Sequence, residues 1–231
     1  MTKVVLVTGA SRGIGRAIAC ELAKDHHVVI TWRSTTPKAM PPSILPLQAD
    51  LTQPEIPAQI IADIIARFGR LDVIVNNAGQ VTQNAPEHFD AKAAAAMFDI
   101  NLFAAQALLT AARPHLGAGA AIVNISSVNA QLPPMGASLF GASKAALDLW
   151  TRGMAKELGP HQIRVNGVAP GAVDNPEEPR PDDVTRAFTD MTALGRLATP
   201  EDIAQAVRFL ASEAASSVTG EVLTVSGGYR L

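Results

Sequence analysis

Short apolar runs alternate along this chain with longer stretches in which apolar residues recur every three or four positions. The runs at 3–8 (KVVLVT), 27–32 (HVVITW), 44–48 (ILPLQ), 71–76 (LDVIVN), 120–126 (AAIVNIS), 163–169 (IRVNGVA) and 221–226 (EVLTVS) read as strands. Several are continuous Val/Ile/Leu segments, the pattern of strands covered on both faces. Between them, Ile56, Ile60, Ile61, Ile64, Ile65 and Phe68 form one helical stripe within 54–68, with Pro54 and Pro57 at its start, where a missing amide donor costs little. Residues 91–116, 138–158 and 201–211 read as further helices, the last with Thr199 as a cap before Pro200, Glu201 and Asp202. One crossover, 33–43, contains Pro37, Pro41 and Pro42, so a loop or a single turn is expected there. Strand–helix alternation throughout predicts an α/β fold: a parallel, doubly wound sheet in one domain spanning 1–231.

Composition narrows the function class. The 231 residues are 48% hydrophobic and 17% charged with a net charge of −2, which offers neither a basic nucleic-acid surface nor an acidic tail. The first apolar run is too short for a secretory signal, and Asp99 and Asn101 interrupt the longest one, so no membrane association is expected. Cys20, the single cysteine, cannot form an internal disulfide; it reads as a buried packing residue in a cytoplasmic protein.

Candidate chemistry begins directly after the first strand. In TGASRGIG, Gly9, Gly13 and Gly15 lead into a helix with Ile14, Ala17, Ile18 and Leu22 on one face. Glycines at such a turn allow a pyrophosphate to approach the backbone, and the helix N-terminus presents amides to the anion. The segment after strand two, ITWRSTTPK, lacks the carboxylate that would bond the ribose 2′-hydroxyl of NAD. Arg33 and Ser34 stand there instead, with Arg12 in reach, which favours the 2′-phosphate of NADP(H) over NAD(H).

TGASRGIG (8–15), Asp50 after strand three, NNAG (76–79), Asn101 in DINLF, NISS (124–127), GASK (141–144), VAPG (168–171) and the ending GRLATPEDIAQAVRFLAS…SVTGEVLTVSGGY together resemble the short-chain dehydrogenase/reductase family over essentially the whole chain. The resemblance implies a Rossmann-like seven-stranded parallel sheet flanked by helices. It implies hydride transfer between NAD(P) and a carbonyl or alcohol, and a homotetramer or homodimer packed through 91–116 and 138–158. It places Gly9, Ser11, Arg12, Gly13, Ile14 and Gly15 at the cofactor phosphates, and Asp50 and Leu51 at the adenine. Asn77, Ala78 and Gly79 fall at the ribose, and Pro170, Gly171 and Val173 at the nicotinamide. Asn175 stands near where the family often has threonine.

The family's catalytic Asn, Ser, Tyr and Lys correspond to Asn101, Ser127, position 140 and Lys144. Counting thirteen from Ser127 or back four from Lys144 arrives at the same position, and it holds Phe140. Phenylalanine keeps the ring and has no proton to give, and removing a positioned general acid costs about 10²–10⁴-fold. Tyr229, the chain's one tyrosine, lies near the C-terminus; Ser138 and Ser143 flank position 140 but point to other helix faces. Two readings follow: an NADPH-dependent carbonyl reductase disarmed by nature or by design, and a non-catalytic NADP-binding sensor or interaction protein. Residues 172–195 correspond to the family's variable lid, with carboxylates expected to be solvated and with Phe188 and Met191 able to fold onto the pocket. Val128, Asn129, Leu132, Pro133, Pro134 and Met135 suggest a mostly apolar ketone pocket with Asn129 as its polar handle.

Overall fold

In the computed structural model, which describes residues 2–38 and 40–229, seven parallel strands form one sheet in the order β3-β2-β1-β4-β5-β6-β7. These are β1 (Val4–Val7), β2 (His27–Trp32), β3 (Ile44–Gln48), β4 (Val73–Asn76), β5 (Ala121–Ile125), β6 (Arg164–Pro170) and β7 (Val222–Val225). Each falls within a residue or two of its expected run. Continuous apolar strands are buried on both sides, as β1, β4, β5 and β6 are at every position. The chain order reverses direction across the sheet between β1 and β4, so the connections that follow these two strands run to opposite sides and leave a crevice beyond their C-termini.

Helices cover both faces. α1 (Gly13–Leu22) and α7 (Pro200–Ala211) pack Ile18, Leu22, Ile203 and Val207 on one side. On the other, α2 (Ile56–Phe68), α4 (Ala104–Ala112) and α5 (Ser138–Leu158) bury Ile60, Ile61, Ile64, Leu108 and Leu158. α2 lacks a side-chain cap at its start, a loss of about 1 kcal/mol. Burying Ile60, Ile61 and Ile64 at about 1.5–3 kcal/mol each outweighs it. α7 begins as the sequence leads one to expect: Thr199 Oγ1 accepts from the Asp202 amide (3.2 Å) while Asp202 accepts from the Thr199 amide (2.9 Å), a reciprocal cap.

Two expectations need correction. The helix expected over 91–116 is broken into α3 (Ala91–Phe98), a π turn at Asp99–Phe103, α4 and a final 3₁₀ turn at Arg113–His115. This run is long and apolar enough to cross a membrane by composition, yet Leu108, Leu109 and Ala112 pack into the core against α2. Cys20 is half-buried against the α1 side of the core rather than enclosed in it. A short helix, α6 (Asp182–Thr189), forms within the segment read as a lid. The described residues of 33–43 form no helix, as the prolines require.

Candidate active site

A cleft of about 600 Å³ opens over the crevice between β1 and β4. It gathers Gly9, Ser11, Arg12, Gly13, Ile14 and Gly15 from the first loop, Arg33 and Ser34 beyond β2, Asp50 and Leu51 beyond β3, Asn77, Ala78 and Gly79 beyond β4, and Val173 beyond β6. Residues more than 160 positions apart thus meet where strands end. Pro170 and Gly171 lie outside this lining: Pro170 closes β6, and Gly171 faces the last strand, where a Cβ would come within 2.7 Å of Ser226 Cβ.

The glycine loop is held by its neighbours. Thr8 Oγ1 accepts from the amides of Asn77 (3.0 Å) and Ala78 (2.9 Å), and Asn77 Nδ2 donates to the carbonyls of Thr8 and Gly9 (2.9 Å each). Gly9 donates to Thr31 Oγ1 at 3.2 Å. The approach is so close that a Cβ at Gly15 would lie 2.4 Å from Asn77 Nδ2 and 2.6 Å from the Gly9 carbonyl. Thr8 and Thr31 escaped the sequence reading, because a polar residue ending an apolar strand is a weak signal by itself. Asp50 accepts from the Thr52 hydroxyl (2.7 Å) and amide (3.1 Å). Burial pushes its carboxyl up, but these bonds, with Arg33 nearby, leave it below the ordinary value.

Asn101, Ser127, Phe140 and Lys144 lie outside the lining of this cleft. Asn101 in the π turn and Lys144 in α5 line a smaller neighbouring pocket that shares Leu51 and Ala78 with it; Phe140 stands one turn before Lys144 in α5, and Ser127 follows the end of β5. Asn101 is buried in the π turn. Its side chain accepts from the Gln80 amide (2.9 Å) and donates to the Gln80 carbonyl and to Ser143 Oγ (3.0 Å each). Gly79 makes room for this meeting: a Cβ there would lie 3.0 Å from Asn101 Oδ1 and 3.6 Å from Lys144 Nζ. Ser143 donates to the Phe140 carbonyl (2.7 Å), so it braces α5. Ser127 Oγ accepts from the Asn129 amide at 3.1 Å, which leaves its own proton to donate. The turn that follows packs directly on α5, since a Cβ at Gly141 would meet the Asn129 carbonyl at 2.7 Å. Asn84, which the sequence reading also missed, pins the start of α5 by bonds to Ser138 Oγ (3.0 Å), the Leu139 amide (3.2 Å) and the Gly136 carbonyl (2.8 Å).

Lys144 Nζ donates to the Ile125 carbonyl at 2.8 Å and sits 5.9 Å from the centre of the Phe140 ring. Phe140 is itself buried, packed with Met97, Ala137 and Leu139. Burial pulls the Lys144 amine down to about 8, opposed by the Asp148 carboxylate one helical turn on. Asp148 is pushed up by its own burial, against Ser126, Arg152 and Lys144.

The lid carboxylates are not all solvated, contrary to the sequence expectation. Glu177 accepts from the Gly13 amide (2.6 Å) and from Arg16 (2.5 Å), and Glu178 pairs with Arg12. A carboxylate therefore occupies the N-terminus of α1. With the glycines that no Cβ could replace, this shows that the loop accepts an anion. Phe188 does not fold onto the cleft; it packs on Tyr229, ring centres 6.2 Å apart, beneath the Arg180 guanidinium. Among the described residues no His/Cys/Asp/Glu group could hold a metal ion.

Residues 9–230 match the family model described as enoyl-(acyl carrier protein) reductase. The chain is 37% identical over 247 residues to the short-chain dehydrogenase/reductase FrzI of a Cladobotryum species, covering 99% of this chain and 96% of that protein. It is 32% identical to the 3-oxoacyl-[acyl-carrier-protein] reductase FabG of Thermotoga maritima, over 98% of this chain and 97% of that one. A short-chain dehydrogenase from Burkholderia cenocepacia, solved in complex with NADP, superposes with a TM-score of 0.89 at 33% identity, over 98% of this chain and 97% of that chain. Matched in sequence and in fold from end to end, the chain belongs to the short-chain dehydrogenase/reductase family, as an oxidoreductase of that type.

Proposed function

We propose that this protein is an NADPH-dependent carbonyl reductase whose proton donor has been replaced by Phe140. The observation that carries the reading is the burial of Phe140 beside an otherwise complete set: Asn101 tied to Gln80, Ser127 with a free proton, and Lys144 facing the phenyl ring. Gly9, Ser11, Arg12, Gly13, Ile14 and Gly15 would hold the dinucleotide's phosphates, Arg33 and Ser34 the 2′-phosphate, Asp50 and Leu51 the adenine side, and Asn77, Ala78 and Gly79 the ribose side. Pro170, Gly171 and Val173 would border the nicotinamide. NADPH, when bound, supplies a hydride to a carbonyl carbon. Ser127 would donate a hydrogen bond to the carbonyl oxygen as negative charge develops there, preserving part of the stabilisation, and solvent water would supply the proton that completes the alcohol. Lys144 would hold the ribose, and its ammonium would keep the niche electropositive. Phe140 fills the volume of a tyrosine and transfers no proton.

Support for NADP(H) over NAD(H) comes from Arg33 and Ser34 at the cleft wall and from the Burkholderia relative in complex with NADP. The 3-oxoacyl substrate of the Thermotoga relative makes a ketone the first class to assay. A cytoplasmic setting fits the free thiol of Cys20, and a homotetramer or homodimer fits the exposed Phe103 and Leu149 in the helical regions where the family resemblance places subunit contacts. The second reading, a non-catalytic NADP-binding sensor, is favoured by Phe140 alone. Phe140→Tyr separates the two: a reductase gains about 10²–10⁴-fold in ketone-dependent NADPH oxidation. Silence across a ketone panel, with NADPH still bound, overturns the reductase in favour of the sensor.

A further inference from the structure

We propose that the segment after β6 is a latch, held shut by two carboxylates occupying the places of cofactor phosphates, so that the lid and the dinucleotide compete for the same groups. The proposal rests on the cofactor reading above. Glu177 takes the Gly13 amide with one oxygen (2.6 Å) and Arg16 with the other (2.5 Å), while Glu178 takes Arg12, the side chain placed to read a 2′-phosphate. The segment is shaped for this contact. Asn175 Oδ1 accepts from the Glu177 amide (3.2 Å) and sets its direction, and Asn175 Nδ2 fills the space a Cβ on Gly13 would need, at 3.2 Å. Arg180 anchors the far side by donating to the Val173 carbonyl at 2.6 Å.

A dinucleotide lying from Arg33 to Lys144 crosses the Gly13 amide. That amide has one hydrogen and cannot satisfy a carboxylate and a phosphate together. Leaving Glu177 and Glu178 beside a pyrophosphate would also crowd like charges onto one helix end. Cofactor entry therefore expels both glutamates, and the lid moves when the cofactor arrives. The neighbouring arginines stay behind: Arg16 is freed for the pyrophosphate and Arg12 for the 2′-phosphate.

Glu177→Gln and Glu178→Gln keep the shape of partly exposed side chains, so folding is preserved. NADPH and NADH affinities are read by fluorescence titration, and amide hydrogen exchange at Gly13 is followed in the cofactor-free protein. The expected result is faster exchange at Gly13 in Glu177→Gln, about tenfold tighter NADPH binding in the double variant, and a gain for NADPH larger than for NADH in Glu178→Gln. Equal or weaker NADPH binding in the variants, with Gly13 exchange unchanged, overturns the latch and leaves the cofactor reading standing. If no form binds NADPH or NADH while Gly13 exchange still responds, the cofactor reading falls, and the competition falls with it.

Discussion

At Lys144 a single side chain carries both an energetic liability and the site's positive charge. Burial lowers its amine from 10.5 to about 8, so between those values the unfolded chain holds a proton that the folded chain has lost. Stability then rises with pH across that window, by up to about 1.4 kcal/mol per pH unit, and the penalty is present in full below it. Urea unfolding of the parent and of Lys144→Met between pH 7 and 10.5 measures this. The parent is expected to gain on the variant as pH rises, whereas parallel curves would mean that the buried amine keeps its proton. The position of Phe140 was legible before any fold was known, since two independent counts meet on it. The depression of Lys144 was not, because it comes from burial of the amine in the folded protein, against the opposing pull of the Asp148 carboxylate.

Among the elements, the π turn at Asp99–Phe103 does what an uninterrupted α-helix could not: it turns Asn101 inward to reach Gln80 and Ser143. Asn101→Ala would leave the Gln80 amide and carbonyl without these bonds in a part-buried setting. A cost of about 3 kcal/mol is expected, seen as a fall of roughly 6–12 °C in the thermal midpoint. A fall of less than 2 °C would show that water takes over those groups. Apolar periodicity across 91–116 predicts a plain helix because a π turn inserts one residue without disturbing the apolar content around it. That Asn101 belongs to the site was legible through the family resemblance alone. β1, α2 and the Thr199 cap were legible directly, each being written in a few neighbouring residues.

For the molecule as a whole, large apolar side chains stay exposed on the outer helices. Phe103 is 56% and Leu149 69% exposed, and we propose that copies of the chain cover them. Leu149→Glu would place a charge in that contact and is expected to weaken assembly at least tenfold. Sedimentation equilibrium reads the result against the monomer mass of 24.2 kDa. A parent protein that runs as a monomer at micromolar concentration would sink the proposal. At this scale also lies the lid, whose glutamates bind a loop more than 160 residues earlier in the chain. Their solvation was expected because nothing in EEPRPDD points to a partner so distant.

By itself the sequence determined the positions of the seven strands and their parallel direction, the glycine loop at the head of α1, and the residue standing at position 140. Each follows from short-range periodicity, from turn chemistry or from motif spacing, all of which are encoded locally. Only the tertiary structure decided which polar groups would meet at the strand ends: Thr8 with Asn77, Asn84 with the start of α5, Glu177 with Gly13, and the Ile125 carbonyl with Lys144. Those pairings depend on how loops from separate crossovers fold over one crevice. Their strength depends on burial, and burial exists only once the sheet and both helical layers are in place.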